Sequence, residues 1–364
     1  MWKGKKYYEN KIYAKRNGIT IHYMTQEQIV SALIRLGNKM KMWLFDQSSN
    51  PKLNDAADCA ELENEWFTIG NIKQMLSAIA IQMLDEQKIS ECLSKYKFYS
   101  HLPMRVRIIA AGNIPLVFFH DLICVLLSQN IAVVKFSSKD KVLPQCIINM
   151  LVEIEPCIKN FIEITDEKFF AADCIIATGS DNTLNFFEET YGKIPHIFRK
   201  NRTSIAIING NESTNELELL GKDIFSFFGL GCRNVSKIFI PDNYDLTKLI
   251  ETAKKFSNIK SHEPYRSAYQ YNKAYLTITR KSFIDNDFWL LTENSEIFSP
   301  VSVVNYEKYS NLESVKNVFS DNSQHIQCIV NYNVAFGQSQ QPQLTDYADG
   351  IDVMHFLIEQ TDNK

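Results

Sequence analysis

One cysteine has a sequence context that suits nucleophilic chemistry. Cys232 follows Gly229-Leu230-Gly231, a turn between a predicted helix and a predicted strand, and it precedes Arg233. Glycines let the backbone bring an N–H group close to a substrate oxygen, and a neighbouring cation stabilises a thiolate. Cys232 is therefore the candidate nucleophile, whereas the cysteines that lie in apolar runs are typical of inert core positions.

The ends of three further predicted strands carry suitable residues, and ligands of open parallel sheets bind at such strand ends. Asn113, before Ile114-Pro115, is either a helix N-cap or an amide that donates a hydrogen bond to a developing oxyanion. Lys135 is either a solvated lysine or a contact for a phosphate or ribose. Gly179 and Ser180 precede a predicted helix, so they form either a simple N-cap or a phosphate site at the helix N-terminus.

Several well-known motifs for cofactor, nucleotide, hydrolase and metal sites do not occur in the sequence. No strand is followed by G-x-G-x-x-G, so a bound dinucleotide would use a non-standard turn. No G-x-S-x-G elbow and no P-loop occurs. The seven histidines show neither H-x-x-x-H nor H-E-x-x-H spacing, and we expect no metal site.

Composition restricts the protein class. The chain has 364 residues, a net charge of −3, 45% hydrophobic and 22% charged residues, which argues against disorder and against a nucleic-acid partner. The eight cysteines form no C-x-x-C pair. The longest apolar stretch, 108–127, is interrupted by Asn113, His120 and Asp121, and the N-terminus lacks a signal-peptide core, so we expect a cytoplasmic protein without a membrane span.

The candidate residues lie within an alternation of short strands and helices that occurs twice. Residues up to about Tyr99 are predicted to be mainly helical. Strands are then predicted at Val106–Ala111, Ile131–Phe136, Cys174–Ala177, Ser204–Ile208, Val235–Ile240, Ala274–Thr279, Val301–Asn305 and Ile326–Val330. Helices are predicted from Ile114-Pro115 to Leu127, at Asn182–Thr190, from about Leu217 to Phe228, at Asp245–Phe256 and at Leu312–Phe319.

This alternation predicts an α/β protein with two Rossmann-like parallel-sheet lobes and the active site in the cleft between them. Residues 1–208 would form an N-terminal helical segment and a dinucleotide-binding lobe. Residues 209–335 would form the catalytic lobe with Cys232, and residues 336–364 would pack back near the cleft.

Five segments, in chain order, resemble motifs of the aldehyde dehydrogenase superfamily: Gly112-Asn113-Ile114-Pro115, Val133-Val134-Lys135, Thr178-Gly179-Ser180, Gly231-Cys232 with Ser236–Phe239, and Glu296-Ile297-Phe298-Ser299-Pro300-Val301. The resemblance implies that fold, with Cys232 as the nucleophile and Asn113 as an oxyanion donor. It also implies a set of residues that contact a nicotinamide cofactor, namely Lys135, Ser137, Ser138, Gly179, Ser180, Glu296 and Phe298.

Within that superfamily, the chain resembles the acyl-CoA reductases that include the reductase component of the bacterial luminescence fatty-acid reductase complex. The stretches Gly112–Asp121, Gly231–Pro241 and Phe336–Phe356 carry this narrower likeness. It implies a fatty acyl-CoA or acyl-thioester substrate. It also implies an acyl-activating ligase or a thioesterase as a partner, and a homo-oligomer.

Two departures from the superfamily pattern refine the expected chemistry. Phe198 stands where aldehyde-oxidising members have a water-activating glutamate, so hydrolysis of an acyl-enzyme should be slow. Ser138 stands where many NAD-using members have a glutamate that binds the ribose 2′-hydroxyl, and Lys139 follows it. Loss of a carboxylate and gain of a cation favour NADPH over NADH.

The sequence thus predicts reduction of an acyl-CoA to an aldehyde through an S-acyl-cysteine on Cys232. Two other functions stay open. One is an acyltransferase or thioesterase that uses Cys232 without hydride transfer, and the other is a non-catalytic scaffold. His196 and His262 are the candidate proton donors, since they lie near motif segments in the sequence.

Overall fold

The computed structural model describes residues 3–8, 11–16, 19–22, 24–99, 101–167, 171–179 and 181–362. The chain begins with an antiparallel sheet of β1 (Lys3–Tyr8), β2 (Lys11–Arg16) and β3 (Ile19–His22), in the order β1-β2-β3. These strands depart from the mainly helical prediction for the first hundred residues. The isoleucine and tyrosine residues that they contain favour extended backbone.

Helices α1 (Gln26–Phe45), α2 (Pro51–Glu63), α3 (Ile69–Ala78) and α4 (Glu86–Leu93) follow, as the sequence predicts. Thr25 and Gln28 form a capping box at the start of α1, and Asn50 caps α2 ahead of Pro51. The four helices share one hydrophobic core with the first parallel sheet.

The first parallel sheet has five strands in the order β6-β5-β4-β7-β8, and every neighbouring pair is parallel. In chain order its elements are β4 (Arg105–Ile109), α5 (Phe119–Leu127), β5 (Ile131–Lys135), α6 (Val142–Ile154), β6 (Ile162–Ile164), β7 (Cys174–Thr178), α7 (Asp181–Tyr191) and β8 (His196–Arg199). Strands β5 and β7 are almost entirely apolar, as is typical of a parallel sheet that is covered on both faces, whereas the middle strand β4 carries Arg105 and the buried Arg107.

The second parallel sheet has six strands in the order β11-β12-β13-β10-β9-β14, and only the β11–β12 pair is antiparallel. Its elements are β9 (Thr203–Ile207), α8 (Thr214–Phe225), β10 (Val235–Pro241), α9 (Thr247–Ala253), α10 (Glu263–Ile278), β11 (Ile284–Asp285), β12 (Leu290–Glu293), β13 (Val303–Tyr309), α11 (Leu312–Asp321) and β14 (Ile326–Val330). A last helix, α12, covers Val353–Asp362.

The chain divides into two compact units. Residues 1–200, 343–347 and 351–364 form the first unit, and residues 201–342 and 348–350 form the second. Strand β9, predicted as the fourth strand of the first lobe, instead pairs with β10 and β14 in the second sheet. The segment after residue 335 contributes to both units.

One local prediction is wrong, and one of the two alternatives for Asn113 is excluded. Residues 274–278, predicted as a strand, form the last turns of α10, because Tyr265, Tyr269, Asn272 and Leu276 are buried at helical spacing. Asn113 does not cap a helix, since α5 begins at Phe119 and Phe118 occupies the N-cap. Leu116 lies between them with φ of 54°, which no continuous helix contains.

No helix among the described residues has the length and apolar composition needed to cross a membrane.

Candidate active site

The loop that carries Cys232 begins with an unusual run of backbone angles. After α8 ends at Phe225, Phe227, Phe228 and Gly229 have φ of 49°, 58° and 78°. Two of these are aromatic residues in the left-handed region, which costs energy and occurs preferentially at functional sites. The ring of Phe228 stacks on His262 with the ring centres 4.0 Å apart, and this contact holds the turn in place.

Cys232 itself is half-buried and lies just before β10. The hydroxyl of Ser204, on β9, donates a hydrogen bond of 3.0 Å to its carbonyl oxygen and lies 3.0 Å from the sulfur of Cys328. Burial raises the pKa of the Cys328 thiol, so that cysteine stays protonated. Of these two cysteines, only Cys232 is partly accessible.

A buried carboxylate ties the Phe336–Gln340 stretch to α8. Asp223 accepts hydrogen bonds from the backbone N–H groups of Gly337 at 2.7 Å and Ser339 at 3.0 Å. Burial raises the pKa of Asp223, and these donors oppose that shift. The carbonyl of Ser339 accepts a long hydrogen bond of 3.5 Å from the guanidinium of Arg233, so the stretch lies beside the cysteine loop.

The Glu296–Phe298 segment is anchored to the same sheet by buried polar side chains. Asn305, on β13, donates to the carbonyls of Glu296 at 2.9 Å and Phe298 at 3.0 Å. Ser236, on β10, donates to the carbonyl of Ile297 at 2.6 Å. The fully buried ammonium group of Lys237 donates to the carbonyl of Ser295 at 2.6 Å and pairs with Glu307. Strand β10, which begins three residues after Cys232, thus holds this segment directly.

Glu296 and Phe298 line an open groove of about 570 Å³ in the second unit. Both residues are exposed, Phe298 to 45%. The other lining residues come mainly from α10, β12 and β13 and include Tyr271, Tyr275, Lys281, Glu293 and Asn294. The groove therefore combines aromatic walls with carboxylate and amide groups.

In the first unit, the Asn113 loop packs on the turn after β5. A Cβ at Gly112 would lie 2.3 Å from Ser137 Oγ, so only glycine fits this approach. The carboxylate of Asp140 accepts a 2.7 Å hydrogen bond from the Leu116 N–H and stabilises the far side of the loop. Burial raises the pKa of Asp140 to about 7, although this hydrogen bond opposes the rise.

The structure gathers several of the predicted cofactor residues at the carboxyl edge of the first sheet. Lys135 is the last residue of β5, Ser137 and Ser138 lie in the turn after it, and Gly179 follows β7. A Cβ at Gly179 would lie 3.0 Å from Thr183 Cβ, so the backbone there is closely approached by α7. Ser180 lies outside the described residues.

Phe198 lies in β8, within an aromatic cluster. Its ring stacks on His196 with the centres 4.0 Å apart and also contacts Phe187. The next residue, Arg199, forms a buried two-point ion pair with Asp121 of α5, with N–O distances of 2.6 and 2.8 Å. Of the two candidate proton donors, His196 belongs to the first unit, whereas His262 belongs to the second unit with Cys232.

Sequence reasoning missed the residues that anchor these loops: Ser204, Asp223, Asn234, Asn305 and Asp140. They are buried and polar, and their partners are mostly distant backbone groups. Apart from the position of Asn234, two residues after Cys232, no local signal marks them.

Solved structures of aldehyde dehydrogenases share the fold. Aldehyde dehydrogenase 21 from Physcomitrella patens superposes with a TM-score of 0.60 at 12% identity, covering 95% of this chain and 91% of that one. An acetylating aldehyde dehydrogenase from Geobacillus thermoglucosidasius gives 0.60 at 12%, covering 92% and 90%. An indole-3-acetaldehyde dehydrogenase solved with NAD⁺ gives 0.59 at 12%, covering 84% and 76%. The chain therefore has an aldehyde dehydrogenase-like fold.

The family assignment is narrower than the fold. The family model described as Acyl-CoA reductase (LuxC) matches residues 60–346. The chain thus belongs to the acyl-CoA reductase (LuxC) family, and it is an oxidoreductase that reduces acyl-CoA to aldehyde. A search of curated proteins finds no match.

Proposed function

We propose that this protein reduces a fatty acyl-CoA with NADPH through an S-acyl intermediate on Cys232. The observation that carries this proposal is the direct attachment of the Glu296–Phe298 segment to the strand that follows Cys232, through Ser236 and Lys237. An acyltransferase needs a nucleophile but has no use for a nicotinamide-binding segment fixed beside it. The attachment therefore favours a reductase over an acyltransferase or a thioesterase.

The groove in the second unit is the proposed site for the nicotinamide end of such a cofactor. The exposed Glu296 carboxylate is suited to accept hydrogen bonds from ribose hydroxyls, and the Phe298 ring offers an apolar face. When bound, the reduced nicotinamide supplies a hydride. Lys135, Ser137 and Gly179, with Ser180, are proposed to bind the remainder of the dinucleotide.

The turn after β5 supports a preference for NADPH. Ser138 and Lys139 are both exposed, and the Lys139 N–H donates to Ser137 Oγ at 3.3 Å. A lysine ammonium attracts the 2′-phosphate of NADPH, and the serine brings no repelling carboxylate. The same turn would lack the carboxylate that usually binds the 2′-hydroxyl of NADH.

In the proposed reaction, the Cys232 thiolate attacks the thioester carbonyl and forms a carbon–sulfur bond. The negative charge moves to the carbonyl oxygen, where the Cys232 N–H and, in our proposal, the Asn113 amide donate hydrogen bonds. The tetrahedral adduct then expels CoA as a thiolate, which takes a proton from solvent, and an S-acyl group stays on Cys232. Hydride addition to the acyl carbon gives a thiohemiacetal anion. Breaking of its carbon–sulfur bond releases the aldehyde and regenerates the Cys232 thiolate.

Phe198 is proposed to protect the acyl-enzyme. Its ring has no group that can remove a proton from water, so hydrolysis lacks a general base at this position. A long-lived acyl-enzyme is what a thioester reductase requires. The cytoplasmic location, the homo-oligomer and the ligase or thioesterase partner stay predictions.

The test is NADPH oxidation by the purified protein with acyl-CoA substrates of graded chain length, with the aldehyde detected directly. Cys232→Ala should abolish both signals, whereas Cys157→Ala, at an exposed cysteine, should leave them unchanged. Cys232-dependent CoA release without NADPH oxidation would instead establish an acyltransferase or thioesterase. Turnover by Cys232→Ala would exclude the proposed nucleophile.

A further inference from the structure

Successive peptide units around Cys232 are each fixed by a hydrogen bond. The N–H of Gly231 donates to the Asn234 side-chain oxygen at 2.8 Å. The carbonyl of Gly231 accepts from the Asn234 N–H at 3.0 Å. The carbonyl of Cys232 accepts from the Ser204 hydroxyl at 3.0 Å. The backbone on both sides of the cysteine therefore has one defined orientation.

These bonds determine where the Cys232 N–H points. A peptide unit is planar and trans, so its N–H and C=O groups point in opposite directions. Because the Gly231 carbonyl is directed at Asn234, the Cys232 N–H is directed away from it. That N–H is the backbone donor which the proposed reaction uses for the oxyanion, and such a donor is effective only when its direction is set before the reaction.

The Asn234 side chain also connects this loop to α8. Its amide nitrogen donates to the carbonyls of Asp223 and Ile224 at 3.2 Å and of Ser226 at 2.8 Å. The residue is only 3% exposed. Asparagine suits this position because one side chain supplies both an acceptor for Gly231 and a donor for the helix end. Aspartate would lose the donor, and alanine would lose both.

Ser204 provides the second anchor, from β9. It is fully buried, and its Oγ also accepts a 3.3 Å hydrogen bond from the Cys328 N–H in β14. The serine thereby fixes the Cys232 carbonyl relative to the neighbouring strands β9 and β14. The anchors come from different elements, α8 through Asn234 and the sheet through Ser204.

We propose that Asn234 and Ser204 are positioning residues that orient the Cys232 N–H toward the oxyanion of the acyl-transfer step. This inference rests on the proposed function, since it takes Cys232 as the nucleophile. Neither residue touches the substrate in this proposal. Both act through the backbone of the cysteine loop.

The test compares two reactions of the same sulfur in the full-length protein. Formation of the S-acyl adduct from acyl-CoA, followed by rapid quenching and mass spectrometry, passes through an oxyanion. Alkylation of Cys232 by iodoacetamide forms no oxyanion and reports only thiol access and ionisation. Asn234→Ala and Ser204→Ala should each slow acylation by about 10- to 100-fold, because misplacing a donor costs this much. Alkylation should change by less than about 3-fold.

A matched control is Asn130→Ala in the first unit. Asn130 is also buried, accepts from the Met104 N–H at 2.9 Å and donates to Ser128 at 3.0 Å. This variant should lose thermal stability without a selective loss of acylation.

The outcomes distinguish a failure of the proposed function from a failure of the positioning role. Absence of any Cys232 adduct in the wild-type protein would refute the proposed function. Normal acylation in folded Asn234→Ala, or an equal loss of acylation and alkylation, would refute the positioning role. If Asn234→Ala does not fold, Ser204→Ala decides the question by the same ratio of rates.

Discussion

The hydroxyl of Ser236 donates a 2.6 Å hydrogen bond to the carbonyl of Ile297 and accepts one of 2.7 Å from Thr203. Ser236 is the second residue of β10, and Ile297 lies between Glu296 and Phe298. This contact fixes the predicted nicotinamide segment to the strand that begins just after Cys232. A change at Ser236 should therefore affect cofactor binding more than the attack of the thiolate.

Ser236→Ala should raise the KM for NADPH by about 2- to 10-fold, because a typical net hydrogen bond contributes about 0.5–1.5 kcal/mol. Acylation of Cys232, measured without cofactor, should stay within about 2-fold of wild type. Thr277→Ala, which removes an exposed hydroxyl on α10, is the control and should change neither quantity. An unchanged KM in Ser236→Ala would contradict this role of the contact.

Asn113→Ala should slow the acyl-CoA reductase reaction by on the order of a hundred-fold or more, since one oxyanion donor is typically worth about 3–4 kcal/mol. The measurement is kcat/KM for acyl-CoA, together with the rate of iodoacetamide alkylation at Cys232. The alkylation rate should not change. Asn149→Ala, at an exposed asparagine on α6, provides the comparison. Equal activities of the two variants would remove Asn113 from the mechanism.

Asp140 should make the stability of the protein fall as pH rises. The pKa of its buried carboxyl is raised to about 7 from an ordinary value of 3.8. Below about pH 4 the carboxyl group is protonated in both the folded and the unfolded chain, so its ionisation does not lower the free energy of unfolding there. Above that, the unfolded chain ionises first, so stability is lost until the folded group also ionises near pH 7. The total loss is at most about 4 kcal/mol.

Asp140→Asn removes this ionisation but keeps an oxygen that can accept from the Leu116 N–H. Denaturant unfolding of both proteins from pH 4 to pH 8 measures the difference. The variant should gain stability relative to wild type as pH increases, and the difference should level off above about pH 7. A constant difference across this range would show that Asp140 does not titrate there.

Ser138→Glu should reverse the cofactor preference. A carboxylate in this exposed turn repels the 2′-phosphate of NADPH and can bind the 2′-hydroxyl of NADH. The ratio of kcat/KM values for NADPH and NADH should fall by about tenfold or more, corresponding to about 1.4 kcal/mol. Lys159→Glu, which introduces a carboxylate at another exposed position, should leave the ratio unchanged.

Sequence patterns located most of the regular elements. The runs around Val133, Ile176 and Ile238 form buried strands. Short apolar segments bounded by turn residues are typical of such strands, because their side chains are more stable away from water. Of the stretches that carry the narrower likeness, Gly112–Asp121 and Gly231–Pro241 lie within the match over residues 60–346, which also covers the first half of Phe336–Phe356. Patterns of this kind are readable because they depend on neighbours within a few residues.

Local patterns failed where distant contacts decide the conformation. Asn113 precedes a proline and looks like a helix cap, but the bond from Leu116 to Asp140, 24 residues away, accompanies a turn that delays the helix to Phe119. The strand at Thr203–Ile207 looks like a continuation of the first sheet, yet its edges pair with β10 and β14. Strand propensity says nothing about which sheet a strand joins.

The sequence alone was enough to identify Cys232, Asn113, Glu296 and Phe298 as candidate site residues, because the chemistry that a residue can perform is set by its side chain. The direction of the Cys232 N–H, the anchoring of Glu296–Phe298 by Asn305 and the raised pKa of Asp140 were decided only by the tertiary structure. Each of these depends on a buried polar group that meets a partner far along the chain. Removing such a group from water is costly, so its partner must be supplied by the fold.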